Sequence, residues 1–293
     1  MNPLVSVSWL AERINDSNMD SNVDSLVVLD ATLPPVGVTP AVDTHARYVE
    51  RHIPGAVFFD IDALSDHATS LPHMLQSDEE FSRNISALGI GDGMTIVVYE
   101  QEGVFSAPRA RWMMKAYGAK QVYLLDGGLK AWAEAGQPLQ SGEVSRPQAT
   151  FTAKLDRAQV KDFDQMQTMI SARESHGPNG SQILDARSAG RFSGAAPEPR
   201  AGLSSGHMPG AISTPFLELV EEGRMKPAAQ LRGVFAAKGV KLDQPMTTSC
   251  GSGVTAAVVA LGLELAGADK VTLYDGSWAE YASRPEAVIE KDV

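Results

Sequence analysis

Ser249-Cys250-Gly251-Ser252-Gly253-Val254-Thr255-Ala256 is the stretch on which the reading of this 293-residue chain turns. It holds the single cysteine. Upstream, Gln244-Pro245-Met246-Thr247-Thr248-Ser249 reads as a short buried strand after a proline. Downstream, the apolar run from Thr255 to Leu265 reads as a buried helix closed by Gly267. Cys250 is thus expected on a tight loop between the carboxyl end of a strand and the amino end of a helix. Unpaired N–H groups and the helix dipole favour a negative charge there. Gly251 and Gly253 remove side-chain bulk, so the loop can curl and aim several N–H groups at one sulfur. Such surroundings favour a reactive thiolate. A lone cysteine is otherwise a small buried hydrophobe; the glycines and the immediate helix start favour the nucleophile.

Working outward, the chain repeats itself. Ser25 to Ala31, a β-branched-rich run with Asp30, is matched by Gln182 to Arg187 with Asp185. His52-Ile53-Pro54-Gly55-Ala56 is matched by His207-Met208-Pro209-Gly210-Ala211, and the segment around Asp126-Gly127 by that around Asp275-Gly276. The offsets are 155, 155 and 149 residues, far above the period of a solenoid. This is one domain duplicated. Strand and helix signals alternate within each copy, which predicts an α/β fold, a mainly parallel sheet flanked by helices. Ser77-Asp78-Glu79-Glu80 has the capping-box form ahead of Phe81, Ile85 and Leu88, and Gly89 stops that helix. A strand over Met94–Tyr99, a helix over Ala107–Tyr117 and a strand over Gln121–Leu125 follow. In the second copy Pro227 opens a helix that Gly239 ends. Residues 140–156 are rich in Ser, Pro, Gln, Thr and Gly. The expected domains are therefore 1–140 and 157–293, joined by a linker over 141–156.

The Cys-Gly-Ser-Gly-Val-Thr-Ala loop at 250–256 resembles that of the 3-mercaptopyruvate sulfurtransferases, two-domain members of the rhodanese superfamily. The resemblance covers nearly the whole chain, and is weaker over 1–25 and the linker. It implies two tandem rhodanese-like domains, the first a catalytically inactive copy. The internal offset sets Gln101, beside Glu100, opposite Cys250, so the first copy has no thiol there. Its Phe105-Ser106-Ala107-Pro108-Arg109 segment is also similar to that of the family.

Arg191 and Arg200 lie after the strand that ends at Asp185, at the same end of the sheet as Cys250. Two planar guanidinium groups can grip a carboxylate and a keto oxygen, although solvated loop arginines have the same appearance in sequence. The resemblance implies that Arg191 and Arg200 bind the substrate. Arg187 and Asp185 read as a structural ion pair. Ser252, two residues after the nucleophile, can bond a bound sulfur, pass a proton, or simply stabilise a turn. The resemblance implies a proton relay through Asp62, His73 and Ser252. It also implies that a persulfide on Cys250 is cradled by the loop formed by Gly251, Ser252, Gly253, Val254 and Thr255.

The implied reaction takes sulfur from 3-mercaptopyruvate through a Cys250 persulfide to thioredoxin, a small thiol or cyanide, and releases pyruvate. That chemistry requires no metal or organic cofactor, and the His and Cys residues are too scattered for a metal site. A thiosulfate:cyanide sulfurtransferase is the nearest alternative. Neutral Gly251 and Ser252, where basic residues would suit a dianion, favour mercaptopyruvate. A Cys-x5-Arg phosphatase is disfavoured because Ala256 stands where the phosphate-gripping arginine belongs. A non-catalytic redox-sensing or binding module would show no pyruvate release.

The remaining features set bounds. Net charge of −11 disfavours nucleic-acid and anionic-membrane partners. A single cysteine fits a reducing compartment, and the amphipathic helix expected over Val5–Ile14 lacks the apolar core of a signal peptide; the expected location is the cytoplasm. An exposed lone thiol predicts intermolecular disulfides on oxidation. Gly202-Leu203-Ser204-Ser205-Gly206 lacks the strand–turn–helix setting of a hydrolase elbow. Gly89-Ile90-Gly91-Asp92-Gly93 lies between a helix and a strand, the reverse of a dinucleotide fingerprint. The Asn179-Gly180-Ser181 sequon reads as incidental.

Overall fold

The computed structural model describes residues 2–15, 26–34, 42–176 and 181–292; Ser25 and most of the Asn179 sequon lie outside them. The chain forms two compact units. Unit 1 comprises residues 1–66, 75–156 and 222–225; unit 2 comprises 67–74, 157–221 and 226–293. Residues 67–74 thus fall in unit 2 and residues 222–225 in unit 1.

Unit 1 contains strands β1 (Leu4–Val5), β2 (Leu26–Asp30), β3 (Val57–Phe58), β4 (Thr95–Tyr99) and β5 (Gln121–Leu125). Its helices are α1 (Val7–Asn15), α2 (Thr44–Glu50), α3 (Asp78–Ala87), α4 (Ala107–Ala116) and α5 (Gly128–Glu134). The sheet runs β1-β5-β4-β2-β3 and every pairing is parallel. Four of the five residues in β2 and in β4 are buried, as in a sheet covered on both faces. The amino end differs from the expected single helix. Leu4 and Val5 pair with Leu124 and Leu125 as an edge strand, and the helix begins at Val7 with Ser6 Oγ accepting the Trp9 N–H at 3.1 Å. Leu10 and Ala11 then join Val28, Val97, Leu125 and Trp132 in the core.

The capping box before α3 forms in both directions. Ser77 Oγ accepts the Glu80 N–H at 3.2 Å and donates to Glu80 Oε2 at 3.1 Å. Residues 141–156 lie along unit 1. Gly142 N–H donates to Val49 O at 2.8 Å, Phe151 N–H to Ser86 Oγ at 2.9 Å, and Asp156 N–H to Ala116 O at 2.8 Å. The buried Phe151 ring meets Phe81 edge-on.

Unit 2 contains β6 (Val160–Lys161), α6 (Phe163–His176), β7 (Gln182–Asp185), α7 (Ala189–Ser193), β8 (Ile212–Ser213) and β9 (Val220–Glu221). After β10 (Arg224–Met225), a segment of unit 1, come α8 (Ala228–Ala237), β11 (Met246–Ser249), α9 (Val254–Ala266), β12 (Val271–Tyr274) and α10 (Ser277–Tyr281). Its sheet order, β6-β12-β11-β7-β8, reproduces that of unit 1, again all parallel. The duplication extends to detail. His52 and His207 each lie in an isolated antiparallel bridge, to Gln140 and Glu290, and each bonds a backbone carbonyl through Nδ1.

Candidate active site

β11 ends at Ser249 beside Asp185 of β7, so Cys250 is the first residue beyond the sheet's carboxyl edge. Gly253 caps α9 with φ of +80°, a left-handed conformation that glycine adopts without steric cost. α10 clamps the loop from behind. Cys250 N–H donates to Ser277 Oγ at 3.2 Å, Cys250 O accepts from Trp278 N–H at 2.9 Å, and Gly251 O accepts from Ala279 N–H at 2.9 Å. Ser277 is itself tied down, donating through Oγ to Tyr274 O at 2.8 Å. Cys250 is only 2% exposed. The expected oxidation to an intermolecular disulfide needed an exposed thiol, and two sulfurs so buried cannot approach the ~2.05 Å of an S–S bond without backbone movement.

Both predicted arginines converge beside this cysteine. A Cβ built on Gly251 would sit 3.0 Å from Arg191 Nη2 and 3.6 Å from Arg200 Nη1. Glycine at 251 therefore makes room for the close approach of Arg191, whereas Arg200 stands at ordinary van der Waals range. α7 carries Arg191 and begins right after β7, while Arg200 follows within the same connection to β8. Both are half-buried. Arg187, next to the sheet edge, is fully buried and bonds Asp185 through Nε and Nη2, Glu198 through Nη1 at 2.8 Å, and Gly206 O at 2.7 Å. Burial disfavours its charge, but the fields and hydrogen bonds of Asp185 and Glu198 prevail and hold its pKa above the ordinary value.

Ser252 Oγ lies 2.9 Å from His73 Nδ1 and accepts from Arg200 Nη2 at 3.3 Å. A guanidinium can only donate, so the serine proton is available to His73 Nδ1, which corresponds to the Nε2–H tautomer. His73 holds a left-handed φ of +61°, uncommon for a residue with a side chain. Such outliers concentrate where function fixes the backbone. Cys250, Ser252, His73, Arg191 and Arg200 all belong to unit 2. Asp62 belongs to unit 1, where its side chain is exposed and its carbonyl accepts from Ser65 N–H at 3.1 Å.

The register corrects the expected counterpart of Cys250. Tyr99 pairs with Asp30 as Ser249 pairs with Asp185, so the residue opposite Cys250 is Glu100, not Gln101. Leu129 N–H also donates to Glu100 O, as Trp278 N–H does to Cys250 O. The offset between copies shrinks by one residue after β4, which a count back from Asp126 carries into the wrong position. Glu100 supplies a carboxylate at the start of α4. Its oxygens accept from the N–H groups of Phe105, Ser106 and Ala107 and from Ser106 Oγ.

Burial raises Glu100 from 4.5 to about 7, outweighing the backbone hydrogen bonds that pull it down. A carboxyl raised on folding contributes stability that is present below its unfolded value and is lost as pH rises through the folded one. Between pH 5 and pH 8 the loss is about 2–3 kcal/mol. Glu100→Gln is expected to flatten that part of the profile, read as the difference between wild-type and variant urea midpoints at the two pH values. Parallel pH profiles for the two proteins would refute the assignment.

Two residues of the site escaped the sequence reading. Glu198 holds Arg191 and Arg187 together, and its only signal was its place between two prolines in the Arg200 segment. Ser277 braces Cys250 from a φ of +48°, at the position where unit 1 has Gly128 at +58°.

The family profile described as "Rhodanese-like domain" matches residues 6–135 and 163–284. The 3-mercaptopyruvate sulfurtransferase of Escherichia coli K12 is 41% identical, covering 98% of this chain and 97% of its own. A thiosulfate sulfurtransferase of Gallus gallus is 39% identical, covering 96% of this chain and 93% of its own. The crystal structure of SseA from Escherichia coli, described with the "rhodanese" fold of the 3-mercaptopyruvate sulfotransferases, superposes with a TM-score of 0.84 at 38% identity, over 95% of this chain and 99% of that one. Among the described residues, no helix is long and apolar enough to cross a membrane.

Proposed function

We propose, from the premise that this chain belongs to the rhodanese family, that Cys250 carries sulfur as a persulfide between a donor held by Arg191 and Arg200 and a thiol acceptor. The chain is an enzyme, and 3-mercaptopyruvate is its donor. The Cys250 thiolate attacks the donor sulfur. An S–S bond forms, the C–S bond breaks, and its electron pair leaves as the enolate of pyruvate, which takes a proton at carbon. Ser252 and His73 deliver that proton. The outer sulfur is cradled by the N–H groups of Gly251, Ser252, Gly253, Val254 and Thr255 in oxyanion-hole fashion. An acceptor thiolate then attacks it, forming the acceptor persulfide and restoring the Cys250 thiolate, which makes the kinetics ping-pong.

The observation that carries this reading is the approach of two guanidinium groups to Gly251, one residue from the nucleophile. A pair of forked donors there suits a keto acid. Thioredoxin, a small thiol or cyanide serves as acceptor, and a reducing cytoplasm suits a lone thiolate. Residues 1–140 are read as the inactive copy, 141–156 as the connection and 157–293 as the catalytic copy. Glu100 supports this, because a carboxylate in the cysteine's place cannot accept sulfur.

Thiosulfate is the second reading, favoured by the Gallus relative's nearly equal identity. Gly251 and Ser252 supply no positive charge after the cysteine, which weighs against a dianion. Steady-state rates with both donors test this; a higher kcat/KM with thiosulfate would reverse the choice. Ser252→Ala and His73→Ala are each expected to lower kcat for pyruvate release about 100-fold. Transfer from preformed persulfide to the acceptor should stay unchanged, and equal loss in both half-reactions would contradict the relay.

A further inference from the structure

Arg191 is gripped before any donor arrives. Its Nε donates to Glu198 Oε1 at 3.1 Å and its Nη2 to Glu198 Oε2 at 2.5 Å. The Glu198 side chain is 2% exposed, against 23% for Arg191. On its far side Glu198 is held by Arg187, whose guanidinium stands 3.9 Å from the Trp278 ring and is anchored on Asp185. Charges alternate along this chain of contacts, from Asp185 to Arg187 to Glu198 to Arg191, and they cancel. Half of the cradle's guanidinium charge is thus already balanced by a buried carboxylate.

We propose that Glu198 is a positioning and specificity-determining residue, which aims Arg191 at Gly251 and cancels one positive charge of the cradle so that a monoanionic keto acid is preferred to a dianionic donor. The inference rests on the reading that Arg191 and Arg200 bind the donor. A fixed negative charge repels a bound anion in proportion to that anion's charge. The Glu198 carboxylate is itself buried, so its repulsion is only partly screened and penalises thiosulfate about twice as heavily as it penalises the carboxylate of mercaptopyruvate. The fork has a separate effect. Two parallel hydrogen bonds fix the guanidinium plane, and loosening them weakens the grip on every donor alike.

Two variants separate charge from aim. Glu198→Gln keeps the shape and one acceptor oxygen but removes the charge. The ratio of kcat/KM for thiosulfate to that for mercaptopyruvate is expected to rise about tenfold. Glu198→Asp keeps the charge but withdraws it by one carbon. KM for both donors should rise about three- to tenfold with the ratio held within about twofold. An unchanged ratio in a folded Glu198→Gln protein overturns the proposal. If that variant does not fold, Glu198→Asp decides, and a ratio that climbs while the charge is retained overturns it equally. Arg191→Gln tells failure of the proposal from failure of its premise. A rise in mercaptopyruvate KM of about tenfold or more supports the premise, whereas an unchanged KM removes the premise and the proposal with it.

Discussion

Replacing Cys250 by serine is expected to reduce pyruvate release from mercaptopyruvate by about 10⁴-fold or more. A serine hydroxyl is not ionised near neutral pH, and its oxygen forms no stable link to sulfur that an acceptor can reopen. The fold should survive the change, because the contacts that clamp this loop are made by backbone. Cys250 N–H meets Ser277, Cys250 O meets Trp278, and Gly251 O meets Ala279. Chemical denaturation midpoints should therefore match within error while activity vanishes. A Cys250→Ser protein that keeps a tenth or more of its rate would mean that sulfur travels by another route.

Arg187→Ala should produce the largest loss of stability, about 3–5 kcal/mol by denaturant titration. Removing this fully buried cation strips Asp185 of its ion-pair partner and leaves Glu198 to Arg191 alone, and it also deletes the bond to Gly206 O and the stack on Trp278. Among the described residues, unit 1 shows the same strand end with no cation on its carboxylate. Asp30, the counterpart of Asp185, accepts from Thr32 N–H and Oγ1 and from Gln101 Nε2, with Thr32 standing where unit 2 has Arg187. Burial accordingly pushes the Asp30 carboxyl up. An Arg187→Ala protein destabilised by less than about 1 kcal/mol would show that the buried triad contributes little.

Much of this architecture was visible in the residues themselves. Local signals carried the cysteine loop, because glycines and a helix start announce the geometry within eight residues. Internal repetition carried the fold, because Asp30 and Asp185 or His52 and His207 mark equivalent turns without any knowledge of contacts. The failures were long-range or depended on register. A one-residue change of offset between β4 and β5 set Gln101 in the place that Glu100 occupies. The assignment of residues 67–74, with His73, to unit 2 depends on tertiary contacts that no local pattern announces. Nor does the local sequence announce that Glu198 stands between two arginines. The short strand at Leu4–Val5 was hidden because two residues are too few for an alternating pattern.

The intact mass of the protein after one equivalent of mercaptopyruvate, without reductant, addresses the central claim most directly. The predicted result is a gain of about 32 Da, one sulfur, confined to the peptide that bears Cys250. It should be matched mole for mole by pyruvate and discharged when an acceptor thiol is added. Pyruvate released in full with no gain in mass would contradict the persulfide.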